Sequence, residues 1–175
     1  GDSLSTFESS DDRFFAICSD GMGSGDQARE TSDFSCKFLR GALSAGSPET
    51  ALHLLNSTLR ARSVECSATA DIFSLDLLDG SATFIKSGAA PSFIKRDSSI
   101  FRIKSSTAPL GLMKTIDSER IQAEVKGGDY VIMLSDGVST VAEESPWLLE
   151  LLTRPSKDSA RAYADYILAA AKENS

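Results

Sequence analysis

The sequence predicts an α+β fold, an antiparallel β-sandwich flanked by helices, and three features carry that prediction. Strand-like and helix-like runs are segregated along the chain rather than alternating, which argues against a doubly wound parallel sheet. Short polar clusters, Ser9-Ser10-Asp11-Asp12 and Asp79-Gly80 among them, sit between neighbouring strand-like runs, as hairpins require. Two apolar runs, Phe14-Phe15-Ala16-Ile17-Cys18 and Tyr130-Val131-Ile132-Met133-Leu134, read as buried strands, and each runs into Ser-Asp-Gly.

Residues 1–8 form the first strand, and the turn cluster returns the chain antiparallel into the Phe14 run. That pairing sets Asp2 opposite the end of the second strand, where Asp20 lies. After the glycines of Ser19-Asp20-Gly21-Met22-Gly23-Ser24-Gly25, a helix begins with Asp26 as its cap and Glu30 in its first turn. Phe34, Phe38, Leu39 and Leu43 recur at helical spacing up to Gly46, a stop signal. A second helix starts at Ser47-Pro48 and carries Leu52, Leu55 and Leu59 to about Arg62. These two helices, over 26–62, are either an ordinary structural pair or a switch that a partner biases through the glycine hinge.

From Ala68 the period changes to two. Ile72, Phe73, Leu75, Leu77 and Leu78 predict a strand buried on both faces, and residues 82–86 are its hairpin partner. Residues 92–96 and 100–103 form the next hairpin, with Lys95, Arg96, Arg102 and Lys104 assigned to the solvated face of an outer sheet. Residues 121–125 alternate again, Gly127-Gly128-Asp129 turns, and the second Asp-Gly strand follows. Residues 147–152 are a short helix before Pro155, and Asp158 caps a last helix with a stripe of Ala162, Tyr166, Ile167 and Ala170.

At 175 residues the chain is expected to be a single domain, large enough to bury a core unaided. It starts at a candidate functional residue, so the expectation is a domain excised from something longer. A net charge of -7 without any basic run argues against a nucleic-acid surface. Cys18, Cys36 and Cys66 are odd in number and widely spaced, which fits a reducing, cytoplasmic setting, with Cys18 as a small core filler. No stretch reaches the length of a membrane span, so no direct membrane contact is expected of this domain. The lone His53 has no second histidine with which to build a zinc site.

The chemistry lies in the aspartates. Asp2, Asp20 and Asp136 each stand beside a glycine at the end of a strand-like run. Taken singly, an Asp-Gly pair is a turn dipeptide. Brought together, three carboxylates repel one another at low effective dielectric and require a cation. Hard oxygen ligands favour magnesium or manganese over zinc.

The order of motifs, Gly1-Asp2, then Ser19 to Gly25, then Gly88 to Arg96, then Pro109-Leu110-Gly111, then Gly128 to Gly137, resembles the metal-dependent serine/threonine phosphatases of type 2C. Within that family it looks most like the bacterial stage II sporulation protein E branch. The resemblance implies a two-metal centre (Mn2+ or Mg2+): Asp20 bridges the ions, Gly21 donates its carbonyl to one, and Asp2 and Asp136 complete the other. Asp20 and Asp136 are then the residues of catalysis, through the water the ions activate. It also implies a phosphorylated protein as substrate, an anti-sigma factor antagonist in a sporulation or stress sigma-factor pathway, and a module on the cytosolic side of a membrane protein. A homodimer stays open. The family carries a further Asp-Asp-x-Thr strand after its last helix, and residues 173–175 come before any such strand, so the fold is expected to lack it. Two other readings remain: a catalytically silent phosphatase fold used as a protein-binding module, and a plain α+β domain whose Asp-Gly pairs are only turns.

Overall fold

The computed structural model describes residues 1–62, 64–138 and 145–175. It confirms the α+β class and the antiparallel sheets. The chain folds as two units: Gly1–Ala89 with Ser105–Val125, and Ala90–Lys104 with Lys126–Ser175.

The first unit is a five-stranded antiparallel sheet, in the order β1 (Asp2–Glu8), β2 (Arg13–Asp20), β3 (Ala70–Asp76), β4 (Ser81–Ser87), β7 (Glu119–Glu124), with helices α1 (Gly25–Ala45) and α2 (Pro48–Arg60). The hairpin turn closes where the polar cluster lies: Ser9 N–H donates to the Arg13 carbonyl, and Asp12 takes the left-handed conformation at φ 60°. Phe15, Ile17 and Ile72 on one face of the sheet pack with Leu39, Leu52, Leu55 and Leu59 of the helices. Each of those leucines is at most 1% exposed, and burying each contributes about 1.5–3 kcal/mol. The alternate residues Asp71, Phe73, Phe84 and Lys86 are buried as well, so β3 is covered on both faces as the sequence predicts, and so is its partner β4.

Some boundaries differ from expectation. The N-cap position of helix α1 is Ser24, whose side chain makes no capping bond, and Asp26 falls in the first turn. Its buried face is made of Ala28, Thr31, Ser32, Ser35 and Cys36 before it reaches Leu39 and Leu43, while Phe34 and Phe38 only border the core. Small side chains sit there because the helix start lies on the backbone of Gly1 and Gly21: a Cβ on Gly21 would stand 1.9 Å from the Ala28 carbonyl oxygen. Leu77 and Leu78 are exposed rather than buried, since β3 ends at Asp76 and they belong to the turn.

The second unit holds a three-stranded sheet, β6 (Ser99–Ile103), β5 (Ser92–Arg96), β8 (Tyr130–Ile132), and helices α3 (Pro146–Thr153) and α4 (Ala160–Glu173). Phe93, Ile132, Leu148, Leu152, Tyr163 and Ile167 form its core. The last helix is capped by Ser159, whose hydroxyl accepts from Ala162 N–H, so Asp158 is not the cap. Its buried residues are Tyr163, Ile167 and Ala171, with Tyr166 and Ala170 packed against the core, and Ala162 is exposed. Lys95 is not on a solvated face. It is 3% exposed and its ammonium donates to the carbonyls of Leu152 and Arg154 at the C-terminal end of α3, where the free carbonyls and the helix dipole welcome a cation. Burial pushes that ammonium below the usual lysine range. Among the described residues no helix is long and apolar enough to cross a membrane.

Candidate metal centre

The hairpin register decides the placement of the first two aspartates. Asp2 pairs with Asp20 directly across β1 and β2, so both carboxylates rise from the same face at the same end of the hairpin. Directly opposed side chains have Cβ atoms about 4.5–5.5 Å apart, and like charges there are destabilising. Nothing in hairpin geometry favours such a pair on its own account.

Several bonds fix the end of β2. Asp20 N–H donates to the Thr69 hydroxyl at 2.9 Å, Thr69 N–H donates to the Asp20 carbonyl at 2.9 Å, and the Ser19 hydroxyl donates to the Thr69 carbonyl at 2.7 Å. Gly21 continues this contact by bridging to Ala68, which in turn bridges to Leu110. Gly21 N–H is taken by the Gly1 carbonyl at 3.0 Å, and among the described residues no donor is found on the Gly21 carbonyl. The motif pieces Ser19 to Gly25 and Pro109 to Gly111, distant in sequence, therefore meet through Ala68. Gly88 joins them: its φ is +68°, a Cβ there would lie 2.6 Å from Pro109 N, and its N–H donates to the Thr107 hydroxyl. Asn56 on α2 holds the following loop, accepting from Gly111 N–H at 2.7 Å and donating to the Met113 carbonyl at 3.0 Å.

Asp2 is exposed, and the Asp20 side chain is 16% exposed with the amino nitrogen of Gly1 at 3.6 Å from Oδ1. The same sheet face continues inward through Cys18, Asp71 and Lys86, which are neighbours across β2, β3 and β4. Lys86 Nζ and Asp71 Oδ2 are 2.9 Å apart and both side chains are buried. The Cys18 thiol is raised to about 12, first by burial and then by the charge of Asp71, with Asp2 adding a smaller push in the same direction.

Asp136 belongs to the other unit. Strand β8 is three residues long, shorter than the apolar run, because its ladder with β5 comprises only Phe93↔Ile132, Ile94↔Val131 and Lys95↔Tyr130. Asp136 stands exposed in the turn that follows, where Val138 N–H donates to the Ser135 carbonyl. The structure thus brings Asp2, Asp20 and Gly21 together, and among the described residues no three acidic, cysteine or histidine side chains form a metal-holding group. Two opposed carboxylates and a carbonyl with no donor are hard oxygen donors, which suit magnesium or manganese. Sequence reasoning missed Thr69, Asn56 and the Asp71–Lys86 pair. Isolated polar residues in apolar stretches, as Asn56 and Lys86 are, were the only signal.

A five-stranded antiparallel sheet whose first hairpin ends in paired aspartates, with an Asp-Gly loop leading into a helix, defines a domain of the type 2C phosphatase fold. The family model for Stage II sporulation protein E (SpoIIE) matches residues 10–175, and the chain belongs to that family. It is 38% identical over 140 residues to Stage II sporulation protein E of Bacillus subtilis (strain 168), covering 79% of this chain and 17% of that protein. It is 32% identical over 174 residues to Stage II sporulation protein E of Priestia megaterium, covering 96% of this chain and 30% of that protein. The chain therefore spans less than a third of either relative. The solved structure of the PP2C phosphatase domain with a fragment of the regulatory domain of SpoIIE from Bacillus subtilis is similar at a TM-score of 0.85 and 29% identity, over 99% of this chain and 53% of that one.

Proposed function

We propose that the chain is a metal-dependent phosphatase of phosphoserine or phosphothreonine in a protein, and that its substrate is the phosphorylated form of an anti-sigma factor antagonist. The observation that carries this reading is the register pair Asp2↔Asp20, with the Gly21 carbonyl beside it at the end of β2. An opposed pair of carboxylates is unfavourable without a cation. Asp2, Asp20 and Gly21 are the residues of the first unit that would hold manganese or magnesium, and the resemblance of its Ser-Asp-Gly motif assigns Asp136 a metal as well. Such ions, when bound, make water acidic enough to attack phosphorus near neutral pH and offset charge on the phosphoryl oxygens. The chain's own contribution is positional: β1 and β2 hold two carboxylates in register, and Thr69 clamps the turn that presents Asp20 and Gly21. No cysteine or histidine nucleophile is needed. The family assignment supports the sporulation setting.

The test is hydrolysis of p-nitrophenyl phosphate, and of a phosphoserine peptide, with manganese supplied. Asp20→Asn and Asp136→Asn should each abolish turnover. Turnover that survives Asp20→Asn or a chelator would overturn the proposal, and manganese binding without turnover would leave the silent, protein-binding module in its place.

A further inference from the structure

The loop that follows Pro109-Leu110-Gly111 carries apolar side chains that it does not bury. Leu110 is buried and Ile116 packs against the first unit's core, while Leu112 and Met113 between them are 50% and 44% exposed. Two fixed points hold them out. Gly111 has a φ of +94°, and a Cβ there would stand 2.5 Å from the Cys66 carbonyl oxygen, so the turn requires glycine. Asn56, buried on α2, accepts from Gly111 N–H at 2.7 Å and donates to the Met113 carbonyl at 3.0 Å. The backbone of residues 111–113 is thereby tied to a buried side chain, and Leu112 and Met113 cannot fold back into the core without breaking those bonds.

The same loop is continuous with the Asp20 turn. Ala68 bridges to Gly21 on one side and to Leu110 on the other, and Met22, 37% exposed, donates its N–H to the Ser67 carbonyl at 2.9 Å. Ladder neighbours lie about 4.8 Å apart, so the backbone of Leu110 stands roughly 10 Å from that of Gly21. A single exposed apolar side chain needs no explanation, but several on one strip beside a site mark a binding surface. Two of these three are methionines, whose unbranched, polarizable chains suit a surface that accepts more than one side-chain shape. An extended peptide advances about 3.3–3.6 Å per residue, so a side chain about three positions from a residue held at Asp20 reaches this strip.

We propose that Met22, Leu112 and Met113 are a docking ledge for the protein substrate, which takes an apolar side chain about three residues from the phosphorylated serine or threonine. The substrate is the occupant because the ledge is bonded to the backbone of the motif that presents Asp20. This rests on the reading of the chain as a phosphoprotein phosphatase, so the experiment includes a substrate too small to reach the ledge. Hydrolysis is followed with manganese for p-nitrophenyl phosphate, for a phosphoserine peptide with leucine three residues to either side, and for the same peptide with serine at those places. Wild type should favour the leucine peptide by about 10-fold in kcat/KM, through KM rather than kcat. Leu112→Ser combined with Met113→Ser alters only exposed side chains. It should erase that preference and leave p-nitrophenyl phosphate hydrolysed at the wild-type rate. Should the double variant melt early, Leu112→Ser alone decides. Equal rates on the two peptides in wild type, or a preference that survives in the folded variant, would overturn the proposal. So would a folded variant that loses p-nitrophenyl phosphate hydrolysis as well. Wild type that turns over none of the three compounds would overturn the phosphatase reading, and the ledge's role with it. Sedimentation tests the rival occupant: a dimer that the double variant dissolves would give the ledge to a second copy of the chain and overturn its assignment to substrate.

Discussion

Replacing Lys86 with Met should unfold the first unit far more readily than a surface change of the same size. The Lys86 and Asp71 side chains are 0% and 2% exposed and meet at 2.9 Å between adjacent strands. Removing the ammonium leaves a carboxylate where water cannot reach it. Breaking such a buried pair on one side costs about 3–5 kcal/mol. At about 2–4 °C per kcal/mol for a chain of this size, the melting temperature should fall on the order of 10 °C. The double variant Lys86→Met with Asp71→Leu removes both charges and restores apolar contact, so it should recover most of the loss. Thermal melts followed by far-UV circular dichroism, with urea titrations alongside, measure both. A single variant that melts within about 2 °C of wild type, or a double variant as unstable as the single, would show that the charges do not compensate one another.

Gly21→Ala should loosen the start of α1, because the added methyl meets the Ala28 carbonyl at 1.9 Å; reduced helicity near residues 25–30, read by amide exchange, checks it. Asp129 gives the second unit an acid limit. Hydrogen bonds from Arg96 hold its carboxyl below the usual range, so its stabilisation is present above the ordinary carboxylate pKa and is lost as pH falls through the lowered value. Melts between about pH 5 and 2 should therefore drop less steeply in Asp129→Asn than in wild type. Burial, reinforced by the charge of Asp33, raises the Cys36 thiol to about 11. It should resist alkylation at pH 8 in the folded chain and react promptly in denaturant, as mass spectrometry would show.

What could be read in the sequence was whatever rests on local chemistry. A turn cluster between two strand-like runs sets hairpin register, so Asp2 facing Asp20 was legible before any coordinates. The glycines beside Asp20 signalled close backbone approach, and the 1.9 Å at Gly21 is that approach. What failed depended on faces. Alternation in residues 92–96 shows that Lys95 and Ile94 point oppositely, but not that the Lys95 side is covered; the last carbonyls of α3 decide that, and they lie far along the chain. The stripe of α4 was legible in Tyr166, Ile167 and Ala170, which lie in or against the core, whereas Ala162 is exposed and Tyr163 is the buried residue of the first turn. Thr69 and Asn56 gave little local sign, since each acts on a loop brought to it by the fold.

The polar contacts in the first unit divide by what they hold. Phe15, Ile17, Ile72 and the leucines of the helices supply burial that would stabilise any sheet-and-helix layer. Thr69 on Asp20, Asn56 on Gly111 and Thr107 on Gly88 bury little apolar surface, yet each fixes the backbone of a motif glycine or aspartate. A net hydrogen bond contributes about 1 kcal/mol, which is small beside the core, but an amide left unpaired in a buried loop costs more than the bond yields. The apolar core therefore determines whether the unit folds, and the polar clamps determine which of many equally buried loop conformations it adopts. That division is what an opposed pair of carboxylates demands: the repulsion between Asp2 and Asp20 works against the loop geometry, and stiff clamps beside it keep the backbone of Asp20 and Gly21 in place.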